Sequence, residues 1–200
     1  MRKNTSASRA LDLPPGMRMY ENFISPEAHD RLFALLDNAR RERNEGHDDG
    51  FEFDDVAEFD TTFGMVLRDI FRRMHKERIF RKALHGPMTL GCTMVGYAVD
   101  DYIVRHKDSY LLGGNTIATV SFGSNAVLDF YEDATGRHIP VLVPPRSLYV
   151  MAGDVRTIWT HEIKPGMFTW KGCPIARSRR YAILFFEPGP KYDGELLSYP

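Results

Sequence analysis

The feature that most constrains the fold is a change of pattern at Leu90, after which the chain consists of short runs typical of β-strands. Eight such runs follow, rich in β-branched and aromatic residues and separated by turn residues. They cover residues 90–99, 102–108, 115–122, 126–131, 138–143, 147–152, 156–163 and 179–186. Together with two preceding helices they predict a mostly β fold. We expect a double-stranded β-helix (jelly-roll) core with both helices packed on one sheet.

The segment before Leu90 contains the helices. Met17 to Phe23 is typical of a short edge strand, and Ser25-Pro26-Glu27 predicts a helix start with serine as the N-cap. Thr61 to Arg78 shows apolar residues at three-and-four spacing, which predicts an amphipathic helix. Its other face is basic, which leaves open a solvated surface or a phosphate-binding patch. The basic residues are Arg68, Arg72, Arg73, Lys76 and Arg78, with Arg81 and Lys82 beyond.

Length and composition predict one domain. Two hundred residues, 43% hydrophobic and 26% charged, can build a full core. We expect residues 17–200 to form it, with 17–89 as helical support and lid and 90–188 as the jelly-roll core. Residues 1–16 are expected to be a disordered tail. A net charge of −1 requires any nucleic acid to bind through a local patch.

Cysteine usage and the N-terminus bear on the compartment. Cys92 and Cys173 form no CxxC pair, which predicts neither a zinc site nor a disulfide framework. We expect an intracellular protein, cytoplasmic or nuclear, and a monomer. The first eleven residues are basic and acid-free, so organelle import stays an alternative. The sequence contains no run of about 18 apolar residues, so it predicts no membrane span.

A group of four residues carries the chemical signal. His106 and Asp108 are two apart, so a strand would place both side chains on one face. His161 shares a strand face with Trp159 and Ile163, and it offers a third ligand. Two histidines and one carboxylate are the ligand set of non-haem iron oxygenases, which keep positions open for a co-substrate and oxygen.

Arg180 opens the almost wholly apolar strand RYAILFF. A buried arginine is costly without an anionic partner, and its planar guanidinium suits a carboxylate. A structural ion pair is the alternative interpretation.

The stretch from Gly96 to Pro188 resembles the AlkB family of Fe(II)/2-oxoglutarate dioxygenases. The resemblance rests on motifs in the family's order, over nearly half the chain. They are Tyr97 ahead of His106-x-Asp108, Ile117-Ala118-Thr119-Val120-Ser121-Phe122-Gly123, Leu128-Asp129-Phe130, Pro145-Arg146-Ser147-Leu148, Gly153-Asp154, Trp159-x-His161, and Arg180 at the head of the last strand.

The resemblance implies cofactors and roles. His106, Asp108 and His161 would bind Fe(II), and Arg180 would bind the distal carboxylate of 2-oxoglutarate with a hydrogen bond from Tyr97. The reaction would consume O2 and release succinate and CO2, and on an N-methyl group it would also release formaldehyde. Tyr110, near the iron ligands, is a candidate for contacting the substrate.

Four positions depart from the family pattern. Phe186 stands where a second arginine usually ends the last strand, and Val95 replaces an asparagine before the tyrosine. Glu162 replaces a glycine after the distal histidine, and Tyr110 replaces an acid that contacts bases in nucleic-acid demethylases. The lid that covers the site in nucleic-acid demethylases of the family is expected here at the segment from Phe51 to Phe63, which reveals no base-stacking residue.

Three functions follow as hypotheses. The first is oxidative demethylation of N-methylated nucleic acid, supported by the resemblance and the basic helix face. The second is a dioxygenase acting on a protein side chain, suggested by the near-neutral charge and the missing acid at Tyr110. The third is a catalytically weak metal-binding module that works through partners, suggested by Phe186.

Overall fold

The two-helix, many-strand architecture predicted from the sequence is confirmed. The computed structural model describes residues 12–42, 61–80, 88–111, 113–191, 193 and 196–199. The helices are α1 (Pro26–Glu42), α2 (Thr61–Lys76) and the short α3 (Asp154–Thr157). The strands are β1 (Met17–Tyr20), β2 (Met88–Tyr97), β3 (Ile103–His106), β4 (Gly113–Gly123), β5 (Ala126–Glu132), β6 (Arg137–Val143), β7 (Leu148–Ala152), β8 (Thr160–Ile163), β9 (Phe168–Trp170), β10 (Cys173–Ile175), β11 (Arg180–Pro188) and β12 (Leu196–Tyr199).

Two antiparallel sheets form the core. The larger has the strand order β1-β7-β4-β11-β2-β12, and the smaller has the order β3-β8-β5-β6. Strand alternation divides the apolar residues of the larger sheet between its two faces. Val120 and Phe185 pack outward under α1 and α2, whereas Ile117 and Phe186 pack inward with residues of the smaller sheet. The interior between the sheets is therefore separated from both long helices by the larger sheet.

The helices begin where the sequence predicts. The Ser25 hydroxyl accepts a hydrogen bond from the Ala28 N–H at 3.1 Å and caps α1. Asp37 on α1 accepts hydrogen bonds from Arg179 and from the Tyr181 hydroxyl, the latter at 3.0 Å. These contacts fix α1 against the start of β11. None of the described helices is long and apolar enough to cross a membrane.

Three predicted boundaries were wrong. The run 156–163 begins not as a strand but as α3, because Gly153 takes a positive φ of 63° and turns the backbone before β8. The strand expected over 102–108 ends at His106. Residues 12–16, which were expected to belong to the disordered tail, are among the described residues. They are bound to the start of α3, where the Val155 N–H donates a hydrogen bond to Pro15 O at 3.0 Å.

Two elements were not predicted. The β9–β10 hairpin is made of three-residue strands, too short to show alternation, joined at Lys171-Gly172 with φ of 51° and 80°. The strand β12 pairs with β2 at the edge of the larger sheet. The predicted lid, Phe51 to Phe63, lies outside the described residues up to residue 60, and so do residues 1–11 of the tail.

Candidate metal and co-substrate site

A cavity of about 370 Å³ opens between the two sheets. Its apolar walls come from inward-facing residues of both sheets, such as Leu128 and Leu184. Its main polar groups come from six strands and the segment after β3. They are Tyr97, His106, Asp108, Thr119, Tyr149, His161 and Arg180. An apolar cavity with a few convergent polar groups is the usual form of a small-molecule site.

The smaller sheet brings the predicted metal ligands together. His106 ends β3 and is paired in register with His161 on β8, so that their ring centroids are 4.5 Å apart. Phe130 on β5 lies opposite His161 on the other side, with ring centroids 5.5 Å apart. Asp108 follows two residues beyond the end of β3. The two histidines are thus held by sheet pairing, whereas Asp108 is not.

The ligand atoms of His106, Asp108 and His161 all lie within 4.8 Å of one another. Asp108 Oδ1 is 3.4 Å from His106 Nε2 and 3.8 Å from His161 Nε2. Ligands that each stand about 2 Å from one ion are at most about 4 Å apart, so these two pairs suit a shared metal. Two imidazoles and one carboxylate on one side fit Fe(II).

Burial and hydrogen bonding set the protonation states of the three candidate ligands. His106 Nδ1 lies 2.8 Å from Val104 O, an arrangement in which Nδ1–H donates and Nε2 faces Asp108. Burial lowers the pKa of His161 to about 4, so its ring is neutral at neutral pH. Burial opposes ionisation of Asp108, but the hydrogen bond from His106 and the nearby positive groups lower its pKa on balance. The hydrogen bond with Asp108 raises the pKa of His106.

Arg180 is a buried cation that lines the cavity. It is 4% exposed, and its Nε and Nη2 atoms are buried with no hydrogen-bond partner. Its guanidinium carbon lies 5.0 Å from the ring of Tyr97, its register partner on β2. Burial raises the pKa of Tyr97 to about 12, so the hydroxyl keeps its proton and remains a donor. Unsatisfied buried donors facing a cavity fit a carboxylate ligand.

Comparison with known proteins agrees with this geometry. The chain is 28% identical over 168 residues to tRNA (carboxymethyluridine(34)-5-O)-methyltransferase alkbh8 of Xenopus tropicalis, which covers 78% of this chain and 26% of that protein. Its fold matches a Pseudomonas putida prolyl-4-hydroxylase with a TM-score of 0.53 at 16% identity, over 87% of this chain and 88% of that one. It also matches OsALKBH1 with a TM-score of 0.51 at 16% identity, over 88% of this chain and 99% of that one.

The chain is thus similar to alkbh8 in sequence and to OsALKBH1 in fold, and we describe it as AlkB-like. No protein-family model matches it. The AlkB-like chain spans about a quarter of the length of the curated relative from Xenopus tropicalis. The solved structures share its jelly-roll fold.

Two cavity residues of the AlkB-like chain were not predicted from the sequence. Tyr149 on β7 is buried, and desolvation raises its pKa while the charge of Arg180 opposes the rise. Thr119 on β4 is its register partner and carries a buried Oγ1 without a hydrogen-bond partner. Alternation within LYVMA places Tyr149 and Met151 on one face, but the sequence does not indicate that this face is the cavity.

Arg156 was also missed. It lies on α3, is 4% exposed, and donates to Asp108 O at 3.0 Å. Tyr110, the predicted substrate contact, is 46% exposed, and its ring centre is 5.8 Å from the Arg156 guanidinium carbon. Tyr110 does not line the cavity, whereas the exposed Tyr102 does. The role of Tyr110 stays a prediction.

The departures from the family pattern have distinct surroundings. Val95 lines the cavity, where it offers no hydrogen bond. Glu162 faces away from the cavity and accepts a hydrogen bond from the Tyr131 hydroxyl at 2.7 Å. Phe186 packs in the inner apolar cluster.

Arg177 is partly buried. Its guanidinium donates to the backbone carbonyls of Lys164, Gly166 and Asp101, so it ties the loop after β2 to the loop after β8. Asp101 and Tyr102 of the first loop line the cavity, so Arg177 helps to shape its rim.

Proposed function

We propose that the AlkB-like chain uses Fe(II), 2-oxoglutarate and O2 to hydroxylate a C–H bond. The observation that carries the proposal is one cavity lined both by a His-Asp-His set and by Arg180, which has two buried nitrogen atoms without a hydrogen-bond partner. When bound, the iron would supply oxygen activation coupled to oxidative decarboxylation of 2-oxoglutarate to succinate and CO2.

The protein's own residues bind and orient in this scheme. His106, Asp108 and His161 would hold the metal, with the neutral ring of His161 ready to bind without losing a proton. Arg180 would receive the distal carboxylate in a charge-assisted pair, and the protonated Tyr97 would donate a further hydrogen bond. The apolar walls would exclude water. We assign these roles to one domain formed by residues 17–200.

We further propose N-methylated nucleic acid as the substrate, with loss of formaldehyde after hydroxylation. The name of the Xenopus tropicalis relative specifies tRNA, which favours an RNA substrate. The exposed aromatic side chain of Tyr102 at the cavity suits stacking on an unpaired base.

The basic face of α2 lends this substrate less support than its sequence suggested. Its helix packs on the larger sheet's outer face, opposite the cavity. Arg73 donates to Asn22 O and Phe23 O, and Arg72 pairs with Asp69 at 2.7 Å. These two arginines already have partners within the protein.

A protein side chain is the second candidate substrate. The observation that favours it is Tyr110, which stands where a base-contacting acid is expected and packs near Arg156 instead of lining the cavity. A weak module is a third candidate because Phe186 replaces the second arginine.

The test is succinate release from 2-oxoglutarate with Fe(II) and ascorbate. Wild-type protein would be compared with His106→Ala, with and without a methylated tRNA anticodon stem-loop, a methylated DNA oligonucleotide or a set of peptides. We expect succinate that requires His106 and increases with the methylated RNA. Stimulation by peptides alone would favour the second candidate. No succinate under any condition would contradict the proposed oxygenase.

A further inference from the structure

We propose that Arg156 is the positioning residue that holds Asp108 in place to bind the metal. The inference rests on the proposed iron site. It concerns a side chain that contacts Asp108 from outside the ligand set.

The contacts of Arg156 converge on the connection between β3 and β4. Nη1 donates to Asp108 O at 3.0 Å and lies 3.5 Å from Asp108 Oδ2. Nη2 donates to Gly114 O at 3.0 Å and also to Gly113 O. One guanidinium thus binds both ends of the connection and approaches the carboxylate itself.

Asp108 needs such support because the sheet does not supply it. β3 ends at His106, and its last register pair is His106 with His161. Asp108 stands beyond that pair, in an irregular segment that ends with a hydrogen bond from the Gly113 N–H to Ser109 O at 3.0 Å. Without a contact from elsewhere, the carboxylate could rotate away from the two imidazoles.

The chemistry of the contact requires arginine. The side chain is 1% exposed, and desolvation lowers the pKa of the guanidinium although the charge of Asp108 opposes this. A planar guanidinium can donate to several carbonyl groups at fixed angles, whereas a lysine ammonium acts as a point charge. The Arg156 backbone is set by α3, whose Arg156 N–H donates to Gly153 O at 2.9 Å.

The contact with Arg156 also explains how the carboxylate of Asp108 is oriented. Its Oδ1 faces both imidazoles, and its Oδ2 faces Arg156. A carboxylate held in this way keeps one oxygen for the metal while the other is fixed by a cation. Partners of this kind, which orient a metal ligand, typically change metal affinity by about 10- to 100-fold when removed.

The experiment is a Mn(II) titration of metal-free protein by calorimetry and by electron paramagnetic resonance. Wild type would be compared with Arg156→Met, Arg156→Lys and Arg179→Met. The last is a matched control, since Arg179 pairs with Asp37 on α1, away from the metal ligands. We expect the Kd for Mn(II) to rise about 10- to 100-fold in Arg156→Met and less in Arg156→Lys, and to stay within twofold in Arg179→Met. The Mn(II) resonance should also broaden in Arg156→Met.

A second readout separates positioning from general stability. At saturating Mn(II), Arg156→Met should bind 2-oxoglutarate within about threefold of wild type, because Arg180 and Tyr97 are untouched. Parallel losses of Mn(II) affinity, 2-oxoglutarate affinity and thermal midpoint in Arg156→Met would overturn the inference. Unchanged Mn(II) affinity in either Arg156 variant would also overturn it. If Arg156→Met fails to fold, the Mn(II) affinity of Arg156→Lys decides whether the inference stands. Wild type that binds no Mn(II) would instead contradict the proposed function.

Discussion

Arg180 offers the sharpest test of the co-substrate end of the cavity. We consider Arg180→Met, which keeps most of the apolar stem and removes the guanidinium. Two of its nitrogen atoms, Nε and Nη2, are buried and unpartnered in the protein alone. The substitution therefore removes donors that bind a ligand without breaking hydrogen bonds of these atoms within the protein.

The magnitude follows from the two free donors. A hydrogen bond to a charged group contributes about 1.5–3 kcal/mol, so losing a two-point contact should weaken 2-oxoglutarate binding by about 3–6 kcal/mol. At 1.4 kcal/mol per tenfold, the Kd should rise at least roughly 100-fold. Removing a buried and poorly partnered charge is close to neutral for folding. The losses are the contact with the Tyr97 ring, about 0.5–1 kcal/mol, and the interactions with the Tyr97 and Tyr149 hydroxyls.

The assay is calorimetric titration of Mn(II)-loaded protein with 2-oxoglutarate, with the Mn(II) affinity and the urea unfolding midpoint measured beside it. Arg179→Met is the control, because that guanidinium binds Asp37 rather than facing the cavity. We expect a large loss of 2-oxoglutarate affinity in Arg180→Met with Mn(II) affinity retained. Equal losses of both affinities, or a loss of several kcal/mol in folding free energy, would mean that Arg180 is a structural arginine.

Three further predictions concern single groups. Tyr149→Phe should weaken 2-oxoglutarate binding about 2- to 10-fold by calorimetry, since one hydroxyl facing the cavity is lost, and unchanged affinity would exclude it from the site. In metal-free protein, the pKa of His161 is about 4 in the folded state and 6.5 in the unfolded chain. The unfolded chain therefore binds a proton at this residue between these pH values, and the free energy of unfolding should fall as the pH is lowered from 6.5 towards 4. Urea unfolding of His161→Gln should show a shallower fall, and an equal slope would contradict the assignment. Ser25→Ala should cost about 1 kcal/mol by the same method, because the Ala28 N–H loses its capping partner, and a change near zero would show that the cap is dispensable.

The fold was predictable where residue patterns repeat over several residues. The amphipathic spacing of α2 and the alternation of β4 and β5 depend on local sequence, so their positions were predicted closely. The three-residue strands β9 and β10 carry too few residues for alternation to appear. The replacement of a strand start by α3 depends on the backbone of Gly153 and on a hydrogen bond from Val155 to Pro15, some 140 residues away along the chain.

The candidate site was predictable as a set of residues but not as an arrangement. The sequence motif identified four site residues, and all of them line the same cavity. They are His106, Asp108, His161 and Arg180. The sequence suggested that strand alternation positions Asp108, yet β3 ends before it.

Arg156 shows what a one-dimensional pattern does not contain. It lies 48 residues from Asp108, on a turn of helix where a strand was expected. The sequence VRTIW does not distinguish this arginine from a solvent-exposed one, because its burial depends on tertiary packing.

Phe186 and Arg156 both lie close to Gly113, at the start of β4. Phe186 pairs in register with Gly91 on β2 and with Ile117 on β4, and its ring leaves no room for a side chain at Gly91. It therefore fills the inner apolar cluster at the position where the family resemblance expects an arginine. An arginine there would bury a charge among apolar neighbours, at a cost that only an anionic partner offsets. The buried charge beside Asp108 comes instead from α3, whose Arg156 reaches the carbonyl of Gly113 next to this cluster. In this chain the buried cation that contacts Asp108 thus comes from the turn before the distal histidine.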